Sequence, residues 1–344
     1  MEISVVIPSY NNRDVLRETI RHLREQTLDA ALYEIVVVDD GSTDGTAEMV
    51  AEASAAGAGA PIRYVTQANR GRSAARNLGV RTAEGRIVVF LDSDNWATPT
   101  LLDAHHRHYP PGVTGRGVQG RAITHPESRV TPFMQVKEMT PDLTVRRRRD
   151  LSPFHVTTRN CSMLRQEVLD AGGFDETFSG YGWEDIELAI RMHARGVRFE
   201  YEPQALGYHH HVEDLMGVRE KLRQAGVGAV YFWRKYGRSA RIGIFLEIAP
   251  FMLPVKWLVY RTPLVRPLIW WVVPRAEARG WLLILNECYS FLLWDAYYDG
   301  VFRALRSRDP DRAAQPAPPP VVRPATGRSD APYREPAAGR SNGR

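Results

Sequence analysis

Short, almost unbroken apolar runs alternate with amphipathic stretches through the first hundred residues. Ile3 to Ile7 reads as a buried strand ending at Pro8, and Val15, Leu16, Thr19, Ile20 and Leu23 then recur at helical spacing. Ile35 to Val38 is a second strand. A helix begins near Thr43, with Asp44 and Thr46 as capping residues, and runs to the Ala/Gly-rich breaker at Ala55 to Ala60. Ile62 to Val65 and Ile87 to Leu91 are further strands, separated by a helix over Ser73 to Arg81. Strands apolar on both faces and joined by helices predict an α/β fold with a mostly parallel, Rossmann-like sheet covered by helices on both sides. From about Pro110 to Pro153 Gly, Pro and Arg dominate, and the pattern there predicts a strand and a mobile loop. Helical spacing returns over Asp185 to Arg195, followed by a strand over Val197 to Tyr201.

The pattern changes near residue 240. From Ile242 to Trp294 apolar and aromatic residues crowd together, among them Trp257, Trp270, Trp271, Trp281 and Trp294, yet Glu247, Lys256, Arg261, Arg266 and Arg275 interrupt the runs. The longest candidate span, Ile242 to Tyr260, is too polar and too rich in proline for a spanning helix. Trp-rich segments edged by Arg and Lys predict an apolar helical region lying on a membrane surface; the plainer alternative is a helical subdomain packed on the core. Beyond Ser307 the chain is Pro, Ala, Arg, Gly and Ser, which predicts a disordered tail. The expected division is therefore 1–235, 236–306 and 307–344.

Composition changes this picture little. A hydrophobic content of 44% and a charged content of 25% are ordinary for a globular chain, and a net charge of +5 is mildly basic. No Lys/Arg stripe interleaved with aromatics points to nucleic acid. Two distant cysteines, Cys161 and Cys288, offer neither a disulfide framework nor metal spacing. The opening Met1-Glu2-Ile3-Ser4 lacks a basic, cleavable leader pattern, so the expected location is cytoplasmic, peripheral on the inner face of the cell membrane.

Chemistry concentrates where strands end. Leu91-Asp92-Ser93-Asp94-Asn95 delivers two carboxylates to the C-terminal edge of a buried strand, where open α/β sheets bind ligands. Two hard oxygen donors suit Mn²⁺ or Mg²⁺ carrying a diphosphate. Asp39-Asp40-Gly41-Ser42 ends another strand and can accept a base N–H or serve only as turn and cap. Tyr10 leaves the first strand on the same edge. Gly180-Tyr181-Gly182-Trp183-Glu184-Asp185 pairs an aromatic loop with two acids at a helix start, where they can serve as a proton acceptor or only favour the helix dipole. Among His209, His210 and His211 at least one can complete a metal shell, with His209 and His211 ahead of His210. The run Arg146 to Arg149 reads as a solvated loop.

Taken together, VVIPSYNN, VVVDDGSTDGT, QANRGRSAARNLG, FLDSDN and GGFDETFSGYGWEDIEL, in this order and spacing, resemble the family-2 glycosyltransferases of the GT-A fold over roughly residues 1 to 235. The resemblance implies a nucleotide-sugar donor, a divalent metal and inversion at the anomeric carbon. It places Pro8, Tyr10, Asp39, Asp40, Arg76, Asn77, Asp92 and Ser93 on the donor side, with Asp40 against the nucleobase and Asp92 near the ribose. It makes Asp94 the direct metal ligand, with Asp92, His209 and His211 beside it. Asp185 matches the catalytic base, and Glu184 orients base or acceptor. Tyr181, Trp183, Arg159 and Asn160 fall where acceptor or sugar is met. The expected partners are a UDP-sugar and a saccharide or lipid-linked acceptor of the cell envelope, with one sugar added per encounter because the Q-x-x-R-W element of processive relatives is absent. A sugar nucleotidyltransferase is the enzymatic rival, but it would need a Gly-rich loop after the first strand. An inactive scaffold or sensor is the other rival, against which every acid is retained.

Overall fold

The computed structural model describes residues 1–307 apart from 58, 129–130, 140–149 and 179. The Arg146 to Arg149 run and the tail from 308 onward lie outside the described residues. The chain opens as β1 (Ile3–Ser9), α1 (Arg13–Arg24), β2 (Tyr33–Asp39), α2 (Thr46–Ala55), β3 (Ile62–Thr66), α3 (Arg72–Thr82) and β4 (Ile87–Leu91). It continues with β5 (Asn95–Ala97), α4 (Leu101–His106), β6 (Arg116–Thr124), α5 (Pro132–Met139), β7 (Asp150–Leu151), β8 (Asn160–Leu164), α6 (Arg165–Asp170), α7 (Glu184–Ala194) and β9 (Arg198–His209). Five helices follow: α8 (Leu215–Lys235), α9 (Ala240–Phe245), α10 (Leu253–Arg261), α11 (Val265–Arg279) and α12 (Leu282–Arg306).

The strands form one sheet in the order β3-β2-β1-β4-β8-β6-β9-β5, with β7 beside β9. The first four are parallel, and the sheet is mixed beyond β4, because β8 runs antiparallel to both β4 and β6. Every residue of β1, β2 and β4 is buried, as a continuous apolar strand covered by helices must be. One core layer packs α1, α2 and α4 on the sheet through Leu16, Ile20, Leu23, Met49 and Leu101. The other packs α3, α6 and α7 through Ala75, Val80, Val168, Leu188 and Met192.

The strand order reverses between β1 and β4, so their C-terminal ends diverge and leave a crevice. Pro8 lies two residues past the last β1–β4 pair, Val6 with Phe90, where its missing N–H costs least. Ser9-Tyr10-Asn11 and Asp92-Ser93-Asp94 both leave the sheet at this point.

Two elements depart from the sequence pattern. The stretch expected as strand plus loop contains α5, whose Phe133, Met134 and Val136 bury against Leu285, Tyr289 and Leu292 of α12. The strand expected to end at Tyr201 runs to His209, because its second half pairs with both β5 and the end of β6.

The helices after 235 do not stand apart from the core. α8 lies along α12 so closely that a Cβ at Gly226 would overlap Tyr297 O, and one at Gly300 would overlap Arg223 O. Among the described residues no helix is long and apolar enough to cross a membrane. The second half of α12 is buried almost all round, but large apolar side chains at α10 and α11 turn outward: Leu264, just before α11, is 79% exposed and Phe251, just before α10, 71%.

Candidate active site

The D-x-D turn is fixed from several sides. Asn12 Nδ2 donates to Ser93 Oγ at 2.8 Å, and Thr19 Oγ1 donates to Ser93 O at 2.7 Å, tying the turn to α1. Asp92 N and Asn95 Nδ2 both donate to Arg159 O, which locks it to the start of β8. So held, Asp92, Asp94 and His209 bring one ligand atom each to within 4.8 Å of one another. His209 Nε2 lies 3.2 Å from Asp94 Oδ1, and His211 Nδ1 lies 4.0 Å from Asp94 Oδ2. Burial works to raise the Asp94 carboxyl, but His209, His211 and Arg159 outweigh it and hold the group at about 2. A permanently ionised carboxylate beside a second one and an imidazole fits a divalent ion of the Mn²⁺ kind, which accepts both oxygen and nitrogen donors.

Asp185 sits at the first turn of α7, delivered by a strained turn. Gly182 and Trp183 both have positive φ, at 92° and 79°. For a residue as bulky as Trp that conformation is costly, and it persists because the indole Nε1 donates to Ala225 O at 2.6 Å and the ring packs against Phe232 and Phe245. Asp185 accepts from Ile186 N at 2.9 Å and Thr158 N at 3.3 Å. Burial and the neighbouring charge of Glu184 raise its carboxyl to about 6, against the opposing pull of Arg76. Such a group is mostly ionised at neutral pH yet binds a proton readily, as a general base must.

Arg76 connects the two acidic motifs. Its guanidinium is 3% exposed, with Nη1 donating to Glu184 Oε1 at 2.9 Å and Nη2 to Asp92 Oδ1 at 3.3 Å. This corrects the expectation that Arg76 lines the donor site: it is a buried brace holding the D-x-D turn and the start of α7 at one spacing. Asn77 needs the same correction. Its side chain accepts from Phe174 N and donates to Phe174 O and Glu176, so it pins the Gly173-Phe174 loop instead of meeting a donor. Asn160 is fully buried, with its amide spent on His105, Arg121 O and Ala205 O, so it cannot touch a sugar. Trp183 serves as the anchor just described. Tyr181 carries Arg72 and Lys221 over its ring at 4.8 and 5.6 Å.

Asp39 and Asp40 are buried and already hydrogen-bonded. Asp39 accepts from Ser42 N and the Tyr64 hydroxyl, shaping the turn into α2. Asp40 accepts from Gln67 Nε2, Arg70 N and Gly71 N, which leaves about one of its four lone-pair sites. Tyr10 is exposed just past β1, next to Ser9 whose carbonyl accepts from Asp40 N, while Pro8 is buried. Arg159 is exposed just before β8, where its backbone carbonyl accepts from Asp92 N, so a cation stands beside the acidic pair. Sequence reasoning missed Glu213, clamped by Lys137 and Lys221 two residues beyond His211; an acid so close to three histidines was the available signal. It also missed Thr158, which acts through its backbone and left no signal.

Comparison with known proteins decides what this constellation belongs to. The Glycosyl transferase family 2 profile matches residues 4–173, and the Glycosyltransferase like family 2 profile matches residues 133–236. The chain belongs to the family-2 glycosyltransferases. It is 33% identical over 234 residues to validoxylamine A glucosyltransferase of Streptomyces hygroscopicus subsp. jinggangensis, covering 60% of this chain and 54% of that one. The chain thus spans about half the length of that curated relative. In fold it is similar to mannosyltransferase PcManGT from Pyrobaculum calidifontis, solved with GDP-Man and Mn²⁺, at a TM-score of 0.57 and 20% identity over 87% of this chain and 86% of that one. It is also similar to S. aureus TarS 1-349 in complex with UDP-GlcNAc, at a TM-score of 0.52 and 17% identity over 90% and 93%. This family-2 glycosyltransferase therefore has the GT-A fold, with the D-x-D turn and α7 facing one crevice.

Proposed function

We propose that this glycosyltransferase moves a sugar from a UDP-linked donor to an acceptor hydroxyl with inversion at the anomeric carbon, one sugar per encounter. The observation that carries the reading is the shared brace. Arg76 holds Glu184 and Asp92 together, so a base poised near 6 and a D-x-D turn share one cleft. Asp94, Asp92 and His209 are the residues that would hold Mn²⁺ or Mg²⁺, with His211 in reserve. An ion bound there would offset the charge that grows on the departing diphosphate. Tyr10 offers an exposed ring for the base, Asp40 retains one acceptor site for its N–H, and Arg159 supplies a cation for the phosphates. Ser93 stays on the donor side beside Asp92, its oxygen accepting from Asn12 and its hydroxyl proton available. Asp185 takes the proton from the acceptor hydroxyl as that oxygen attacks, and Glu184, held by Arg76, keeps α7 oriented.

The acceptor we infer is a saccharide or lipid-linked molecule of the cell envelope, met by an enzyme resting on the membrane surface through residues 236–306. Of the five cations between Phe251 and Ile284, Lys256, Arg261 and Arg266 pair with Glu247, Asp299 and Asp295, while Arg275 and Arg279 lie over the Trp271 and Trp281 rings. Trp257, Leu258, Leu264, Leu268, Trp271 and Leu283 are exposed among them. Apolar side chains and cations so mixed match the headgroup boundary of an anionic bilayer.

A panel of nucleotide sugars with Mn²⁺ or Mg²⁺, followed by release of the nucleoside diphosphate, tests the chemistry. Metal-stimulated hydrolysis of a UDP-sugar is expected. If no nucleotide sugar binds or turns over, the catalytic reading fails; turnover indifferent to chelator removes the metal alone.

A further inference from the structure

The three consecutive histidines are divided between the two faces of the sheet, and the division leaves a second cluster unused. Successive side chains of a strand point to opposite faces. His209 and His211 turn toward Asp94, while His210 turns the other way and stacks on Trp96, with ring centroids 3.9 Å apart and planes 9° from parallel. The parallel pairing of β6 with β9 ends at Thr124 with His209, and His125 N donates to His209 O at 2.9 Å, so His125 comes alongside His210. Their rings lie 5.2 Å apart. The turn after β6 then folds Glu127 back, its N–H donating to His125 Nδ1 at 3.3 Å. As a result His125, Glu127 and His210 bring one ligand atom each to within 4.8 Å of one another, as the D-x-D cluster does on the opposite face.

We propose that His125, Glu127 and His210 form a second metal site, separate from the diphosphate site and selective for a Zn²⁺-class ion. Two imidazoles and one carboxylate are the donor set that Zn²⁺ accepts with a fourth position open to water. The D-x-D cluster has the opposite balance, two carboxylates to one imidazole, which favours harder ions such as Mn²⁺ and Mg²⁺. The ring geometry is set in advance. Trp96 holds one face of His210, Tyr208 meets His125 edge-on at 5.6 Å, and His22 closes the stack on the other side of Trp96 at 5.4 Å. Pre-set ligands lose little freedom on binding, which raises affinity. Such an ion would clip the end of β6 to the end of β9, and so brace the strand that presents His209 to the diphosphate site. His210 N donates to Asp94 O at 2.8 Å, so the two sites share one backbone link.

The test uses the full chain, stripped by chelator and then titrated with Zn²⁺ in saturating Mn²⁺, with metal content read by calorimetry and elemental analysis. One Zn²⁺ per chain is expected despite the Mn²⁺. Glu127→Gln, an exposed change that leaves the core intact, should weaken Zn²⁺ by at least about tenfold, since even partners one step removed from a metal cost that much. His125→Asn should abolish the binding, with near-UV circular dichroism confirming a native fold. Asp94→Asn should leave the Zn²⁺ stoichiometry at one. Co²⁺ in place of Zn²⁺ should give visible absorption bands of four-coordinate intensity, lost in Glu127→Gln. The proposal is overturned if the wild-type chain binds no Zn²⁺ in Mn²⁺. It is equally overturned if Glu127→Gln and His125→Asn bind as wild type, or if Asp94→Asn removes the Zn²⁺, which would place it at the diphosphate site.

Discussion

The parallel half of the sheet and the helices after 235 are built from similarly apolar sequence and end in opposite states. In β1, β2 and β4 every side chain is buried, because α1 and α2 cover one face and α3 the other. In α10 and α11 Val255, Leu258 and Leu268, with Leu264 just before α11, remain exposed, because these helices rest on α12 with one side and no further layer among the described residues covers the other. Burial is thus decided by the layers available on each side and not by hydrophobicity along the chain. The contrast extends to polar groups. In the first half, the carboxylates of Asp39, Asp40 and Glu34 are each matched by donors, as low-dielectric surroundings require. In the second, Arg275 and Arg279 lie over Trp271 and Trp281 at 3.8 and 5.0 Å, an arrangement suited to a water boundary.

The sharpest way to break the comparison is to remove chemistry from the ordered half. Asp185→Asn should lower turnover by about 10²–10⁴-fold while nucleotide affinity holds, since the base acts only on the acceptor side. The wild-type kcat/KM should fall with slope one below about pH 6, as Asp185 takes up its proton, and rise to a plateau above it. A profile flat from pH 5 to 8 counts against Asp185 as the base. Next in size, Asp94→Ala should cost about 10²–10³-fold in kcat/KM and abolish the effect of chelator on UDP binding, corresponding to several kcal/mol of lost charge stabilisation. Calorimetry with and without chelator decides it.

Changes to the seam between the halves should act on stability instead. Gly226→Ala and Gly300→Ala each force a methyl into a facing backbone carbonyl, so α8 and α12 must part. A loss of about 1–3 kcal/mol is expected by denaturant titration, with turnover at low temperature near wild type. A change without effect would mean that the two helices meet less closely than described. The smallest effect on catalysis belongs to the outer surface. Leu264→Glu with Leu283→Glu should reduce partition onto anionic vesicles by about tenfold or more, since each removes about 1.5–3 kcal/mol of apolar contact, yet leave turnover on a soluble acceptor unchanged. Undiminished flotation with vesicles would remove the membrane reading and leave this face to another partner.

Much of the first hundred residues was legible because periodicity there matches burial: each apolar run became a strand, and each carboxylate at a run's end reached the crevice. The site residues divided differently. Asp94 and His209 come together beside Asp92 and Asp185 lies at the start of α7, while Arg76, Asn77, Asn160 and Trp183 hold other groups in place. A motif marks residues that are needed, and it does not separate those that touch a ligand from those that fix the ones that do. Helix α5 was hidden because its apolar residues are few and its partner, α12, lies about 150 residues away.

By itself, then, the chain determined its strand and helix order, the edge at which its acids gather, and its membership of the family-2 glycosyltransferases, since all three follow from local spacing and short motifs. Only the tertiary structure decided that Arg76 spans two motifs 92 residues apart, that the three histidines serve opposite faces, and that α10 and α11 keep their apolar sides uncovered. Those features depend on which layers and strands come to lie together, and long-range packing is what a sequence pattern does not encode position by position.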